Sequence, residues 1–251
     1  MKIAVAGGTG SVGRHVVDVG RERGHDVVVL TRSTGVDLVA GAAPALAEAL
    51  TGVDVVIDVA AKNTASAKAS RAFFGTVTRN LLAAEASAGV GHHVALSIVG
   101  AVDAPYAYYA GKAVQERLVE SAQIPWTMLR ATQFHELSSQ IFRSAKVGPL
   151  VVVPTMQSQP IAAREVAERL VELAEGEPAG RVPDLAGPRV ERIAAMARRW
   201  AGAAGEPGRV VEVPLPGAYG RAMREGALLP PPGSQLGVQT FDEWLAQITP
   251  K

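Results

Sequence analysis

Residues 2–13 read KIAVAGGTGSVG, a short apolar run followed directly by a turn rich in glycine. The apolar run has the length and composition of a buried β-strand over residues 2–6. Beyond the turn, valines recur with helical spacing, which predicts a helix over residues 11–23 that ends at Gly24. A strand, a glycine turn and a helix in this order predict the first unit of a parallel α/β sheet.

The glycine turn has the pattern of a phosphate-binding loop. It carries glycines at positions 7, 10 and 13 between a predicted strand and a predicted helix, which is the context this pattern requires. Glycine lets the backbone adopt positive φ and approach a pyrophosphate, while N–H groups and the helix dipole favour the negative charge. The alternative is a tight turn without a ligand. The candidate cofactor-binding residues of the turn are Gly7, Thr9, Gly10, Ser11, Val12 and Gly13.

The remainder of the first half alternates runs rich in Val and Ile with longer stretches of helical period, the pattern of βαβ units. A long helix is predicted to end near Gly89. Further strands are predicted at residues 26–30, 54–59, 93–98 and 126–130. We therefore predict an α/β fold with a doubly wound parallel sheet, a Rossmann fold, over residues 1–155.

The C-terminal third differs in composition. Ten of the 16 prolines lie after Gly176, which allows helices near residues 164–175 and 189–204 but only short strands. We predict that residues 156–251 form a smaller, loop-rich lobe packed on the same domain. In that arrangement the lobe covers the substrate end of the sheet, because ligands of open α/β sheets bind beyond the carboxyl ends of the strands.

The charge balance and the lack of cysteine exclude several classes of site. Of 251 residues, 25 are Lys or Arg and 24 are Asp or Glu, so the chain has no broad basic field for nucleic acid. Without cysteine, it has no disulfides, thiolate nucleophiles or thiolate metal ligands. No apolar stretch matches a signal peptide or a membrane span of about 20 residues. We expect a cytoplasmic protein that acts on a small molecule, without a nucleic-acid or membrane partner; the sequence also allows a homodimer.

The end of the second predicted strand bears on the choice of dinucleotide. Enzymes that bind NAD place Asp or Glu there, to bond the ribose 2′-hydroxyl, whereas this chain has Thr31, Arg32 and Ser33. A guanidinium and two hydroxyls match a 2′-phosphate, so NADP(H) is favoured over NAD(H). The alternative is that Arg32 is a solvated loop residue. Arg14, in the first turn of the first helix, is a second candidate for the same phosphate.

Four features together resemble one protein family: the glycine turn, the arginine after the second strand, the segment VDL at residues 36–38 and the segment YYAGK at residues 108–112. They resemble those of a short-chain dehydrogenase/reductase of the atypical, NmrA-like branch. The resemblance covers residues 1–175 and is weak beyond them.

The resemblance implies cofactor contacts beyond the glycine turn. Asp37, with Leu38 beside it, would contact the adenine ring; the alternative for Asp37 is a turn aspartate that caps the next element. Ala60 and Ala61 stand where ordinary members of the family carry Asn-Asn-Ala-Gly. They would pass under the nicotinamide side of the cofactor.

Tyr108 and Lys112 are four residues apart, which places both side chains on one face of a helix. Such a pair suits carbonyl reduction, in which a phenol donates a proton to the developing alkoxide while a hydride leaves the nicotinamide. A free tyrosine has a pKa of about 10, so a nearby ammonium would help it to release the proton near neutrality. Lys112 would supply that charge and bind the nicotinamide ribose. Tyr109 is the reserve candidate for the acid.

The resemblance also implies a third catalytic residue, a Ser or Thr at the end of the strand before the tyrosine helix, which orients the substrate carbonyl. Ser97 is the candidate. Ordinary members carry a Ser-Ser pair, whereas Ile98 follows Ser97 here, which leaves the register of the hydroxyl open. The alternative is a serine that bonds only to backbone.

Two further groups of residues complete the candidate sites. Gln133, Phe134 and His135 follow the fifth predicted strand, where related proteins place substrate-pocket residues; the alternative is a helix start with ordinary packing. His92 and His93 begin a strand, so their side chains point to opposite faces, and no set of acidic residues lies near them in sequence. We therefore predict no metal site.

Together these residues favour an NADPH-dependent oxidoreductase that reduces a carbonyl, quinone or enone. Tyr108 would donate the proton, Lys112 would activate the Tyr108 phenol, and Ser97 would orient the carbonyl. A second hypothesis is an NmrA-like redox sensor or regulatory module that binds NADP(H) without turnover; the retained Tyr/Lys pair favours the enzyme. A third, an epimerase or dehydratase of nucleotide sugars, needs a larger C-terminal domain than the 75 residues after Gly176 provide.

Overall fold

A computed structural model describes residues 1–40 and 44–248 of the protein. The described residues do not include 41–43, in the predicted Rossmann domain, or 249–251, in the predicted C-terminal lobe. The chain divides into two compact units. Unit 1 comprises Met1–Arg130 and Ala163–Pro183, and unit 2 comprises Ala131–Ala162 and the chain from Asp184 onward.

Strands and helices are numbered in chain order. The strands are β1 Lys2–Ala6, β2 Asp26–Leu30, β3 Val55–Asp58, β4 His92–Ile98, β5 Trp126–Ala131, β6 Lys146–Val147, β7 Leu150–Pro154, β8 Gln157–Ser158, β9 Gly180–Arg181, β10 Leu185–Ala186, β11 Glu191–Arg192, β12 Arg209–Val213 and β13 Gln235–Leu236. The helices are α1 Gly13–Glu22, α2 Pro44–Ala49, α3 Ala67–Ala88, α4 Ala107–Glu120, α5 Leu137–Ser144, α6 Ala163–Glu175, α7 Ile193–Ala204, α8 Gly217–Arg224 and α9 Phe241–Ile248. Among the described residues, no helix combines the length and apolarity needed to cross a bilayer.

The first five strands lie in the order β2-β1-β3-β4-β5. β1 pairs in parallel with β2 on one side and β3 on the other, and β3 pairs in parallel with β4. Ala6, the last residue of β1, lies opposite Leu30 of β2 and Asp58 of β3. The order reverses between β1 and β3, so the carboxyl ends of these strands form the switch point where open α/β sheets bind ligands. This arrangement confirms the predicted doubly wound α/β fold.

The central strands of unit 1 are buried on both faces because helices cover both. Ala6 belongs to an apolar cluster with Leu81 of α3 and with residues of α2. Ile3 and Val5, which point to the opposite face, are also fully buried. Among the helices, α1 packs against α6, and α3 packs against α4. α3 ends at Gly89, whose φ of 74° closes the helix near the predicted residue.

Helix α6 belongs to unit 1, although it lies beyond the predicted boundary at residue 155. Its apolar face is buried, it packs against α1, and Arg164 pairs with Glu22 of α1 at 2.6 Å. The segment before that boundary, from Ala131, belongs to unit 2. The division at residue 155 therefore does not coincide with the two units, because a later amphipathic helix completes the first one.

Unit 2 contains a three-stranded sheet in the order β12-β7-β6, with β7 and β12 paired in parallel over five residues each. Of the two, only β12 follows Gly176, and with five residues it is longer than the short strands predicted for the C-terminal third. Helix α7 begins at Ile193 rather than at residue 189, because the two residues before it pair with β8 as strand β11. Trp200 of α7 packs against Phe142 of α5.

Candidate cofactor and active site

The glycine turn between β1 and α1 admits no side chain at two of its predicted positions. Gly7 has a φ of +82°, and a Cβ there would lie 2.7 Å from the Cα of Ala60. A Cβ at Gly13 would overlap the carbonyl oxygen of Gly7. The Gly10 N–H donates to that same oxygen at 2.9 Å and closes the turn. Backbone conformation and close packing therefore both require glycine in this turn.

The N-terminus of α1 is open to an anion. Gly13 begins the helix, Val12 occupies the N-cap position, and no side chain caps it. Thr9 and Gly10 are exposed, and Ser11 is half-buried. The first-turn N–H groups and the helix dipole favour a phosphate at this position. The turn fits the pyrophosphate of a dinucleotide, because backbone rather than bulky side chains lines it.

Ala60 packs against the glycine turn from the end of β3. Its Cα lies beside Gly7, and its N–H donates to Oδ1 of Asp58 at 3.0 Å. Ala61, the next residue, is exposed. The contact of Ala60 and Ala61 with the nicotinamide side of a cofactor stays a prediction, but Ala60 is positioned beside the turn that would hold the phosphates.

The segment after β2 presents one exposed guanidinium. Thr31 precedes a single 3₁₀ turn over Arg32–Thr34, and its hydroxyl bonds to that of Ser33 at 2.9 Å. Thr34, which the sequence analysis did not single out, donates its hydroxyl to Val29 O at 2.8 Å and accepts from Thr31 N–H. The Arg32 side chain is exposed, and within the described part of the chain it has no ion-pair partner. The hydroxyls thus shape the turn, while Arg32 is available to a ligand.

Asp37 and Leu38 differ in their surroundings. Asp37 is exposed, and its Oδ1 accepts from the N–H of Val39 at 2.9 Å, which is the turn role considered as the alternative. The Leu38 side chain is buried in the apolar cluster of unit 1, and its carbonyl accepts from Asn80. Leu38 therefore offers backbone rather than side chain to any ligand on the surface.

Helix α4 places the predicted Tyr/Lys pair on one face, as the spacing indicates. Tyr108 is half-buried, and its ring meets Phe74 of α3 edge-on, with centroids 5.4 Å apart. The Ser70 hydroxyl donates to the Tyr108 carbonyl at 2.7 Å. Tyr109, the reserve candidate, is buried beside Tyr108 with ring centroids 6.2 Å apart. Tyr108 is thus the more exposed of the two tyrosines.

Lys112 lies almost wholly inside the protein, with 3% of its surface exposed. Its Nζ donates to Leu96 O and to Gln115 Oε1, both at 2.8 Å, and lies 4.5 Å from the centroid of the Phe74 ring. Gln115 Nε2 in turn donates to Oδ2 of Asp58 at 2.8 Å. A buried ammonium is therefore linked through one amide to a buried carboxylate at the end of β3.

The two predicted catalytic groups have shifted pKa values. Burial lowers the pKa of Lys112 to about 8, and the carboxylates of Asp58 and Glu116 oppose that shift. Burial, reinforced by the Asp58 charge, raises the pKa of the Tyr108 phenol. This direction is opposite to the lowering that the sequence led us to expect, because burial disfavours the charged phenolate and the Asp58 carboxylate disfavours it further.

Ser97 is buried and bonds to a different part of α4. Its hydroxyl donates to Glu116 Oε1 at 2.6 Å, and Glu116 also accepts two bonds from Arg130 and one from Arg181. Glu116 lies two helical turns, about 12 Å, beyond Tyr108 along α4. The structure therefore holds the Ser97 hydroxyl in a buried ion cluster, and none of the hydrogen bonds found among the described residues joins it to Tyr108; its catalytic role stays a prediction.

The three candidate substrate residues all lie in unit 2. Gln133 is buried, and its Oε1 accepts from Ser158 at 2.6 Å. Phe134 is half-buried. His135 is fully buried against Phe241 and Trp244 of α9, with ring centroids 5.7 and 5.6 Å away.

His135 is thus a packing residue of unit 2 rather than a residue that lines an open pocket. Its Nε2 bonds to the Gln239 carbonyl at 3.1 Å, and burial lowers its pKa to about 4. A neutral imidazole is the form that such an apolar site favours. Of the three, only Phe134 keeps partial exposure.

The adjacent histidines have separate partners. His93 Nδ1 bonds to the buried carboxylate of Glu85 at 2.9 Å, and His92 Nε2 bonds to the hydroxyl of Thr127 at 2.9 Å. Burial opposes protonation of His93, yet the Glu85 carboxylate outweighs it and raises the pKa. Across the described residues, no group of three or more His, Asp or Glu side chains is arranged to hold a metal ion.

A family profile described as NAD(P)H-binding matches residues 7–177. The chain belongs to this NAD(P)H-binding family. The matched range contains the glycine turn, Arg32, Asp58 and the Tyr/Lys pair of α4. The match confirms the resemblance to atypical, NmrA-like short-chain dehydrogenases/reductases. It also agrees with the structure, in which a turn that requires glycine precedes the uncapped N-terminus of α1.

One curated relative and two solved structures show how far the similarity extends. The photosystem II assembly factor Ycf39 of Synechocystis is 29% identical over 147 residues, 53% of this chain. The chain spans 45% of the length of that relative. A short-chain dehydrogenase/reductase superfamily protein of Agrobacterium tumefaciens, solved with bound NAD, has a TM-score of 0.69 at 19% identity, covering 99% of this chain and 96% of its own.

The second solved structure is an NADPH-dependent quinone oxidoreductase of Escherichia coli. It has a TM-score of 0.68 at 15% identity, and the alignment covers 98% of this chain and 99% of that one. At these identities the likeness is one of fold. This chain therefore shares its Rossmann-like α/β fold with both solved structures.

Sequence reasoning missed the buried residues that surround Lys112. Asp58 ends the apolar run VVID, and a carboxylate in such a strand is itself a signal, because a buried charge requires a partner. Gln115 and Phe74 gave no signal beyond helical periodicity. Gly8 was also overlooked: a Cβ there would lie 2.8 Å from Val29 Cγ1.

Proposed function

We propose that the protein is an NADPH-dependent oxidoreductase that reduces a carbonyl, quinone or enone of a small molecule by hydride transfer, with Tyr108 and Lys112 as its acid–base pair. The observation that carries this proposal is the buried ammonium of Lys112, one helical turn from Tyr108, a half-buried residue. Burying a charge is unfavourable unless partners compensate it, and shifted ionisable groups cluster at functional sites.

The proposed cofactor site uses backbone for the phosphates and Arg32 for the ribose. The glycine turn and the first turn of α1 would hold the pyrophosphate. The exposed Arg32 guanidinium would bond a 2′-phosphate, which supports NADPH over NADH. When bound, NADPH would supply the hydride that reduces the substrate.

Tyr108 would give its proton to the substrate oxygen as that oxygen becomes an alkoxide. Its raised pKa keeps the proton on Oη at neutral pH, and an alkoxide is basic enough to accept it. Lys112 would place a positive charge beside the phenolate that results. In this role the ammonium must remain protonated, so the groups around Lys112 affect catalysis by setting its protonation state.

One observation favours a second candidate, an NADP(H)-binding redox sensor or regulatory module without turnover. In the structure Lys112 Nζ bonds to Leu96 and Gln115, and the pKa of Tyr108 is raised rather than lowered. A protein that only senses the cofactor needs no activated phenol. The two proposals agree on the cofactor and differ on chemistry.

The test is to titrate the purified protein with NADPH and NADH and then to follow absorbance of the reduced cofactor with a panel of quinones, ketones and enones. Quinones come first, because a solved structure of the same fold is named as a quinone oxidoreductase. We expect tighter binding of NADPH and oxidation by at least one compound. Tyr108→Phe should reduce that turnover about 10²–10⁴-fold with cofactor binding retained. Tight binding with no turnover across the panel would instead support the sensor.

A further inference from the structure

Asp58, Gln115 and Lys112 form a chain of hydrogen bonds inside unit 1. Asp58 and Gln115 are each 1% exposed and Lys112 3%. The links are Asp58 Oδ2 to Gln115 Nε2 and Gln115 Oε1 to Lys112 Nζ, each 2.8 Å long. Strand β3 thus supplies a negative charge to a positive charge on α4 through one neutral amide.

The two ends of this chain fix the orientation of the amide in the middle. A carboxylate only accepts hydrogen bonds, and an ammonium only donates them. Gln115 must therefore turn its NH₂ toward Asp58 and its oxygen toward Lys112. If the amide were reversed, its NH₂ would oppose the ammonium and its oxygen would oppose the carboxylate.

We propose that Asp58 and Gln115 are positioning residues for Lys112: Asp58 is the buried counter-charge that keeps the ammonium protonated at neutral pH, and Gln115 is the link that aims it. The inference rests on the proposed function only for the catalytic role of Lys112 beside Tyr108. Neither residue is assigned contact with substrate.

The groups around Lys112 make Asp58 the carboxylate that matters. From α3, the ring of Phe74 contacts the ammonium, and from β4 the Leu96 carbonyl accepts from it. From α4, Glu116 also acts on Lys112, but that carboxylate already binds Arg130 and Arg181.

The remaining carboxylate near Lys112 is Asp58. It bonds to neutral donors, the N–H of Ala60 and the amide of Gln115. Its charge also acts on the Tyr108 phenol and on the buried His93. Through Gln115, its hydrogen bonds lead to one cation, the ammonium of Lys112.

Asp58 also connects Lys112 to the glycine turn. Its Oδ1 holds the N–H of Ala60, and the Cα of Ala60 packs against Gly7. One carboxylate thereby fixes both the residue behind the phosphate-binding turn and the amide that orients the lysine. The position of Lys112 relative to that turn is set by this side chain.

The direct test is to measure the pKa of Lys112 by NMR in protein labelled with ¹³C at lysine Cε. The chain has six lysines, so few signals are present, and Lys112→Met identifies the one of interest. We expect Lys112 to titrate near pH 8 in the wild type and below about pH 7 in Asp58→Asn, because the counter-charge is lost. Asp54→Asn, an exposed carboxylate just before the same strand, is the matched control and should leave the titration unchanged.

A charge swap separates positioning from simple packing. In the double variant Asp58→Asn with Gln115→Glu, the carboxylate and the amide exchange places. The amide introduced on β3 would donate to the carboxylate introduced on α4, and that carboxylate would pair directly with Lys112. We expect the Lys112 pKa to return to about 8 or above in this double variant. If Asp58→Asn does not fold, Gln115→Leu replaces it in the test. Gln115→Leu should also lower the pKa of Lys112.

These titrations need neither cofactor nor turnover, so their outcome is independent of the proposed function. An unchanged Lys112 titration in Asp58→Asn, or no recovery in the swap, would overturn the inference. If the protein is an oxidoreductase, raising the pH should abolish its activity. In Asp58→Asn this loss should begin at a lower pH than in the wild type. A purely structural role would change the rate without moving that limb of the pH profile.

Discussion

The ammonium of Lys112 lies 4.5 Å from the centroid of the Phe74 ring. The same ring meets Tyr108 edge-on at 5.4 Å, so one phenylalanine of α3 contacts both members of the proposed acid–base pair. Aromatic faces attract cations, and a desolvated pair of this kind contributes about 2 kcal/mol. Phe74 therefore stabilises a charge that burial opposes.

Phe74→Leu should lower the free energy of unfolding by about 1–2 kcal/mol, because the ring contact with the cation and part of the buried volume are lost. It should also lower the Lys112 pKa. Denaturant unfolding and the lysine titration measure the two effects. Phe73→Leu, at the half-buried neighbour, is the control; an equal Lys112 shift there would show that the ring contact is not responsible.

Gly13→Ala should abolish dinucleotide binding and lower the melting temperature, because its Cβ would overlap the Gly7 carbonyl and force the turn open. Cofactor fluorescence and thermal unfolding report the two effects. Gly202→Ala in α7, where a Cβ meets nothing within 4 Å, is the control. It should leave binding intact and stabilise the helix by about 0.5–1 kcal/mol.

Arg32→Ala should weaken NADPH binding about 10- to 100-fold and leave NADH binding nearly unchanged, since hydrogen bonds to charged groups contribute about 1.5–3 kcal/mol. Isothermal titration with both cofactors measures the ratio. Arg21→Ala, at an exposed position in the last turn of α1, controls for a general loss of positive charge. Equal losses for NADPH and NADH would assign the 2′-phosphate to another residue, with Arg14 the next to test.

His135 should make the protein less stable in acid. Its pKa is about 4 in the folded protein against 6.5 for an unperturbed histidine, so the unfolded chain binds the proton first as the pH falls. Its contribution is fully present above about pH 6.5 and is lost progressively toward pH 4, amounting to at most about 3 kcal/mol.

Denaturant unfolding between pH 4 and 7 measures the slope of the free energy of unfolding against pH. His135→Gln should flatten it, while some slope should remain because burial also lowers the pKa of His92 to about 4. His25→Gln, a histidine that bonds to Glu175 near the surface, is the control. The same acid slope in His135→Gln and in the wild type would contradict the prediction.

Local patterns predicted the scaffold of unit 1 closely. β1, the glycine turn and α1 follow from neighbouring residues, since strand length, glycine conformation and helical spacing are all local properties. The Tyr108–Lys112 face follows from a four-residue spacing on one helix.

The polar interior could not be predicted in the same way, because it depends on residues far apart in sequence. Asp58 and Gln115 are 57 residues apart, and periodicity does not say which buried polar groups meet. Ser97 was identified by resemblance alone, and the direction of its hydroxyl is set by Glu116 and Arg130. His135 lies beyond a strand, as related pocket residues do, but a helix that begins at Phe241 covers it.

The inclusion of α6 in unit 1 has a consequence for synthesis on the ribosome. Unit 1 is interrupted in sequence by Ala131–Ala162, so its last segment is made after the first part of unit 2. Domains generally fold as units during translation. The nascent Rossmann-like core is therefore complete only after Pro183 has emerged, and the apolar surface that α1 presents to α6 stays uncovered until Ala163–Glu175 has been made.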